Sequence, residues 1–221
     1  MDNFISFDLI FRWLHVLFGI TWIGLLYYFN FIQGEYFKEA EPSAKADATK
    51  KLAPRALWWF RWGAMFTFIT GAILLVGVRQ TYGIDGYILM GALMGTFMFL
   101  NVWLVIWPNQ KIVCGIVEGD AATAGPKALL ASRTNTLFSL PMVLGMMGSQ
   151  HGTGAAGSIV DSANAGVAQP LTMGLIAVLV LILVLEANAI VGKLGPMATV
   201  RGVIHCSVAL TVVCLALLQF V

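Results

Sequence analysis

Charged side chains are scarce in this sequence. Asp, Glu, Lys and Arg together make up 11% of 221 residues, against about 25% in a soluble domain. With 59% hydrophobic residues and a mean hydropathy of +0.84, too few polar groups remain to coat a water-soluble fold. Cysteine is scarcer still. Cys114, Cys206 and Cys214 form no CxxC or CxxCH, which excludes a cysteine-rich zinc site and covalently attached c-type haem. Cys206 and Cys214 lie on one apolar stretch and read as small hydrophobes. The net charge of +2 gives no basic surplus, so no nucleic acid is implied. Met1-Asp2-Asn3 lacks the basic start of a secretory signal, so the first apolar stretch reads as a retained helix. No internal repeat is evident.

Apolar runs are what the sequence has in quantity. They fall at 8–31, 58–79, 87–107, 131–150, 171–192 and 200–220, each near the ~20 residues that carry a helix across about 30 Å of hydrocarbon. The expected fold is therefore all-α: one integral membrane domain over 1–221, a bundle of about six transmembrane helices in a lipid bilayer. The fourth run is broken by Ser139, Pro141 and several glycines, which a membrane helix tolerates where neighbours satisfy the freed carbonyl. Residues 35–56 carry nine charges and read as a solvated, helical hairpin loop. The Gly/Ala/Ser-rich stretch 152–169 reads as a flexible loop or a shallow re-entrant cap.

Six spans put both termini on one side. Eleven of the 13 Lys and Arg residues then fall on the other side, leaving Arg12 and Arg79 with the termini. Basic residues stay in the cytoplasm, so both termini are expected outside, in the periplasm of a bacterial inner membrane. Trp13, Trp58, Trp59, Trp62 and Trp107 lie near span ends, as interfacial belts do, whereas Trp22 and Trp103 are deeper.

Polar residues inside hydrocarbon are expensive and therefore informative. Arg12, His15, Gly19 and Trp22 recur at i, i+3, i+7 and i+10 and share one helical face. A histidine can ligate haem iron, a glycine one turn on leaves room for a macrocycle, and an arginine can pair with a propionate. The same residues equally suit a histidine bonded to a neighbouring helix, with Gly19 allowing close packing. Arg201, His205 and Ala209 repeat the pattern on the last helix. His151 follows the fourth helix, where it is either a second ligand or a solvated loop residue. His15, His151 and His205 are thus the candidate metal ligands for a b-type haem, and by depth His15 could share iron with His151 but not with His205.

A second constellation lies toward the cytoplasmic half: Glu186, Arg61, Asn101, Arg133, Asn135 and Asn30. Glu186 is expected to pair with Arg61, Arg133 or Arg201, or else to be protonated. The cluster is either a structural ion pair or a pocket for a small, polar, planar anion, since arginine and asparagine present forked donors and paired amide groups.

Longer strings carry a resemblance. Arg12-Trp13-Leu14-His15 through Trp22-Ile23-Gly24 and on to Phe31, RWGAMFTFITG (61–71), NVWLVIWPNQK (101–111), SRTNTLFSLPM (132–142) and EANAIVGK (186–193) resemble, in order, the membrane domain of PuuD-type urate oxidases. That resemblance implies a bacterial inner-membrane protein of purine breakdown that oxidises urate toward 5-hydroxyisourate. Glu186, Arg61 and Asn101 would be the catalytic residues, and a haem on His15 would pass electrons outward. Relatives of this type commonly carry a C-terminal cytochrome c domain outside the membrane. This sequence stops at Val221 without CxxCH, so the expected acceptor is a separate cytochrome c. Two other readings stay open: a non-catalytic subunit or haem-carrying anchor of a larger respiratory or photosynthetic membrane complex, and a purine transporter.

Overall fold

Among the described residues of the computed structural model, 7–81, 83–151, 158–160 and 170–221, six long helices follow one another. They are α1 (Phe7–Glu39), α2 (Pro42–Gln80), α3 (Gly86–Val113), α4 (Ala121–His151), α5 (Met173–Val191) and α6 (Val200–Phe220). All but α4 are long and apolar enough to cross a membrane, and the chain is a multi-pass membrane protein. The charged stretch 35–56 continues α1 and α2 as helix. The two break at Ala40–Glu41, and Pro42 opens α2 in the first turn, where its missing N–H costs nothing. Asp120 caps α4 by accepting from the Ala122 N–H (2.9 Å) and the Thr123 hydroxyl. The Thr123 bond first, then the backbone N–H, holds this loop carboxyl below its ordinary range. Most of 152–169 lies outside the described residues; Ser158–Val160 is a short strand.

Contacts at the helix ends show that the six helices alternate in direction. Ile84–Asp85, before α3, pairs antiparallel with Ser158–Val160, after α4. Tyr87 at the start of α3 is hydrogen-bonded by Gln219 at the end of α6, and Gly174 at the start of α5 abuts Leu217. The start of α1 and the end of α2 meet at Arg12 and Gly77. One face therefore carries the start of α1 and the end of α6.

Helix α4 is the axis. It packs against α1, α3, α5 and α6, and every residue from Arg133 to Ser139 is buried. This explains its polarity. A helix enclosed by protein need not be apolar on every side, whereas α5 turns Val180, Leu183, Val184 and Ile190 outward, as lipid requires. At the α3–α4 crossing a Cβ on Gly145 would lie 2.7 Å from the Tyr87 carbonyl and 2.8 Å from the Gly91 nitrogen. The backbones touch there, and alanine has no room.

Pro141 sits inside α4 and has no N–H, so the Leu137 carbonyl loses its i+4 partner. The Ser207 hydroxyl of α6 donates to that carbonyl at 2.8 Å, supplying from a neighbour what the helix cannot. Tyr27 on α1 meets Ser139 at 2.8 Å. Ser139 donates to the Thr136 carbonyl at 2.7 Å, so Tyr27 is the donor to Ser139.

Removing Ser207 should strand the Leu137 carbonyl at a cost of about 1–2 kcal/mol. Ser207→Ala is expected to melt lower in detergent, and Pro141→Ala in the same chain to restore part of the loss by returning the N–H.

Candidate functional site

Three of the helices are not α throughout; Ala48–Leu52, in the charged part of α2, is a π segment with no buried residue. Tyr28–Gln33 in α1 and Asn101–Ile106 in α3 are π-helical. A π turn shifts each backbone bond by one residue, and such turns concentrate at functional sites. Each contains a buried asparagine: Asn30 and Asn101, each 2% exposed. Asn30 donates to the Leu26 carbonyl at 2.9 Å and to the Ser132 hydroxyl of α4 at 2.8 Å. Asn101 spends both amide hydrogens on other helices. One goes to Asn135 Oδ1 of α4 at 3.0 Å, the other to Glu186 Oε2 of α5 at 3.1 Å. Asn135 in turn donates to the Met98 carbonyl at the entry of the α3 π turn, at 2.9 Å. A neutral relay thus crosses from α5 through α3 to α4, with Glu186 at its end and 7% exposed.

This corrects the expected ion pair. Glu186 meets a neutral amide, and no ion pair to it occurs among the described residues. The three arginines proposed for it are turned elsewhere. Arg61 lies over the Trp107 ring at 3.8 Å from its centroid, a cation–π contact that Lys111 shares at 5.8 Å. Arg201 is exposed on the outer side of α6. Arg133, 5% exposed, stands beside Ser132 on α4 and feels Glu35 of α1. Among the proposed catalytic residues the structure joins Asn101 to Glu186, and gives Arg61 to Trp107.

The first-helix constellation faces α2. His15 Nδ1 lies 2.9 Å from the Thr67 carbonyl and 3.1 Å from the Thr70 hydroxyl. A carbonyl only accepts, so Nδ1 carries the hydrogen, and the Nε2 lone pair stays outside these two bonds. The ring rests on Gly71, where a Cβ would stand 2.9 Å from His15 Cε1. Gly19 faces the Thr67 methyl, and Trp22 backbone presses on Gly63. Gly63, Thr67 and Gly71 thus form a small-residue stripe that brings α1 and α2 close. His15 supplies a nitrogen in the tautomer a metal ligand needs, but α2 fills the side on which Gly19 and Trp22 lie. Arg12 pairs with Asp8 at 2.5 Å and lines a shallow cleft of about 360 Å³ with Phe7, Phe11, Ile73, Leu74 and Gly77. His151 is exposed at the end of α4, and His205 is exposed on α6. Among the described residues no group of three His, Cys, Asp or Glu is placed to hold a metal ion.

Among the described residues several buried polar atoms have no hydrogen-bond partner: Gln33 Oε1, Trp103 Nε1, Trp22 Nε1, Asn30 Oδ1 and both Nε and Nη1 of Arg133; of these residues, the sequence reading leaves out Gln33. Gln33 could have been found as the polar residue one turn beyond Asn30. The π turns left no mark in the residue types.

Residues 78–161 match the family described as urate oxidase N-terminal. The match covers less than half of the chain, and it falls on the middle of the helical bundle. The matched segment contains α3, α4 and hence Asn101, Arg133 and Asn135. It does not reach His15, Arg61 or Glu186. No curated protein and no solved structure matches the chain.

Replacing Asn101 by leucine should leave Asn135 Oδ1 and Glu186 Oε2 without a donor, at a cost of about 1–3 kcal/mol each. Asn101→Leu is expected to lower the melting temperature sharply, and Glu186→Gln, which still offers an acceptor to Asn101, to change it little.

Proposed function

We propose that the chain is the membrane part of a urate-oxidising system in a bacterial inner membrane, with its basic face in the cytoplasm. The observation that carries this reading is the Asn101–Glu186 contact. A buried carboxyl held by an amide relay sits in a bundle whose central helices match the urate oxidase N-terminal family. In the overall reaction urate and water give 5-hydroxyisourate, two protons and two electrons. The electrons pass singly to two molecules of a separate c-type cytochrome on the opposite face. Glu186 Oε2 takes one proton, Asn101 fixes the carboxyl, and Arg61 draws the anionic substrate from the cytoplasmic face.

The redox centre in this reading is a b-type haem, which when bound supplies one-electron chemistry. His15 is the residue to hold it, through Nε2. Gly19 and Trp22 are packed against α2 and would take no part in holding it. His15's own contribution is fixed by α2: the Thr67 carbonyl and Thr70 hydroxyl orient the imidazole and set its tautomer, as partners of ligating histidines do.

Purified protein in nanodiscs should reduce added cytochrome c when urate is supplied. Glu186→Gln should lower that rate by roughly 10²–10⁴-fold, the range of general acid–base catalysis, while melting like the wild type. An unaltered rate in Glu186→Gln would remove the carboxyl from the mechanism. Urate uptake into vesicles without cytochrome reduction would assign a transporter instead. The oxidised and reduced spectra should show a haem Soret band that His15→Ala loses; a colourless wild type, or a variant with a full band, would eliminate His15 as its ligand.

A further inference from the structure

Two cations reach one ring from two helices. The Arg61 guanidinium of α2 lies 3.8 Å from the Trp107 ring centroid, and the Lys111 ammonium of α3 lies 5.8 Å from it. Both are within the ~6 Å at which an indole attracts a cation. Both residues are half-buried, and among the described residues neither is paired with an acid. Lys38 and Lys51, by contrast, are answered by Glu35 and Asp47 on their own helices. Like charges drawn to one ring repel each other, the more so where protein and lipid keep water away. The ring attracts each of them but carries no net negative charge. An anion between them would supply it.

The position of the pair selects the anion. Lys111 stands in the last turn of α3, on the same face as the charged hairpin 35–56. Trp58 and Trp59 are exposed nearby on α2, and Trp62 meets Trp103 edge-on at 5.7 Å. Tryptophans gathered at span ends mark the level of the lipid headgroups. From there inward α2 and α3 run side by side, with Phe68 stacked on Phe99 at 4.3 Å. Phe66 and Ile69 of α2 and Leu100 and Leu104 of α3 are exposed, an apolar surface for a hydrocarbon chain to cover. Two cations at the boundary, above an apolar seam, complement a molecule with an anionic head and a hydrocarbon tail. In a zwitterionic lipid the ammonium already neutralises the phosphate and is repelled by both cations, so the matching head carries a net negative charge.

We propose that Arg61, Lys111 and Trp107 seat an anionic phospholipid, its phosphate bridging the guanidinium and the ammonium and its acyl chain lying along the α2–α3 seam. This goes beyond the proposed function and does not depend on it. Arg61 would attract a lipid phosphate and a dissolved anion alike, whereas Lys111 has no part in that function and is the residue to vary.

The full chain in detergent is titrated with phosphatidylglycerol, or with phosphatidylcholine of the same acyl chains, and bound lipid is counted by native mass spectrometry. Wild type should prefer phosphatidylglycerol. Lys111→Gln should bind it roughly fivefold more weakly, the effect of one basic residue at a membrane surface, with phosphatidylcholine unaffected. Lys111→Arg should keep the preference. So should Arg201→Gln, which removes an exposed charge on α6. Glycerol phosphate, the head without its chains, should not displace the lipid. A wild type that holds both lipids alike, or a Lys111→Gln that keeps the full preference, overturns the inference. An equal loss in Arg201→Gln points to a general surface potential, and displacement by glycerol phosphate to a site for soluble phosphate; either overturns it too. Should Lys111→Gln fail to fold, Arg61→Gln is read in the same way.

Discussion

Hydrocarbon offers no hydrogen bonds, so each polar group that this chain carries into the membrane must be answered by another part of the chain. The arrangement around α4 follows from that constraint. Pro141 frees a carbonyl and Ser207 takes it. Ser139 receives Tyr27, Ser132 receives Asn30, and Asn135 bridges to Asn101 and the Met98 carbonyl. These bonds reach α6, α1 and α3, the helices that enclose α4. The polar helix is central because a lipid-facing position would leave these groups unanswered, and its neighbours are apolar on their outer faces because their polar residues point inward.

The π turns of α1 and α3 extend this scheme. Each places a buried asparagine where its side chain reaches another helix: Asn30 bonds its own backbone and α4, and Asn101 bonds α4 and α5. Regular α-helix would rotate these residues away by a substantial fraction of a turn, since one extra residue per turn amounts to about 100°. The π register is thus a means of aiming, and Asn30 and Asn101 reach α4 one turn apart, at Ser132 and Asn135. Among the described residues the scheme is left incomplete at Arg133, Gln33 and Asn30 Oδ1, and at the indole nitrogens of Trp22 and Trp103.

Much of the architecture was legible in the sequence, because hydrophobic runs and charged connections report directly on solvent. The six helices, the helical hairpin at 35–56 and the tolerance of Pro141 all follow from length, charge and the missing N–H. The shared depth of Asn101, Asn135 and Glu186 was legible too, since up-and-down helices put positions in register. Direction was not legible. Nothing in the residue types says that Arg61 prefers the Trp107 ring, that Arg201 and His205 turn outward, or that Glu186 is met by an amide. Helix rotation decides these, and the π turns alter that rotation without a compositional trace. The HxxxG pattern at His15 and Gly19 suited either a macrocycle or a second helix, and its i, i+4 spacing serves both. Gly63, Thr67 and Gly71, on a helix 50 residues away in sequence, turn that face toward protein.

The stripe on α2 has a mechanical consequence. At Gly63 and Gly71 no side chain separates the two helices, so Trp22 and the His15 ring rest directly on the opposing backbone. Such a seam has little room to slide, and the hairpin of α1 and α2 behaves as a single stiff strut. Any flexing between this strut and the remaining helices is then borne along the boundary with α4, where Tyr27 grips Ser139 and Asn30 grips Ser132.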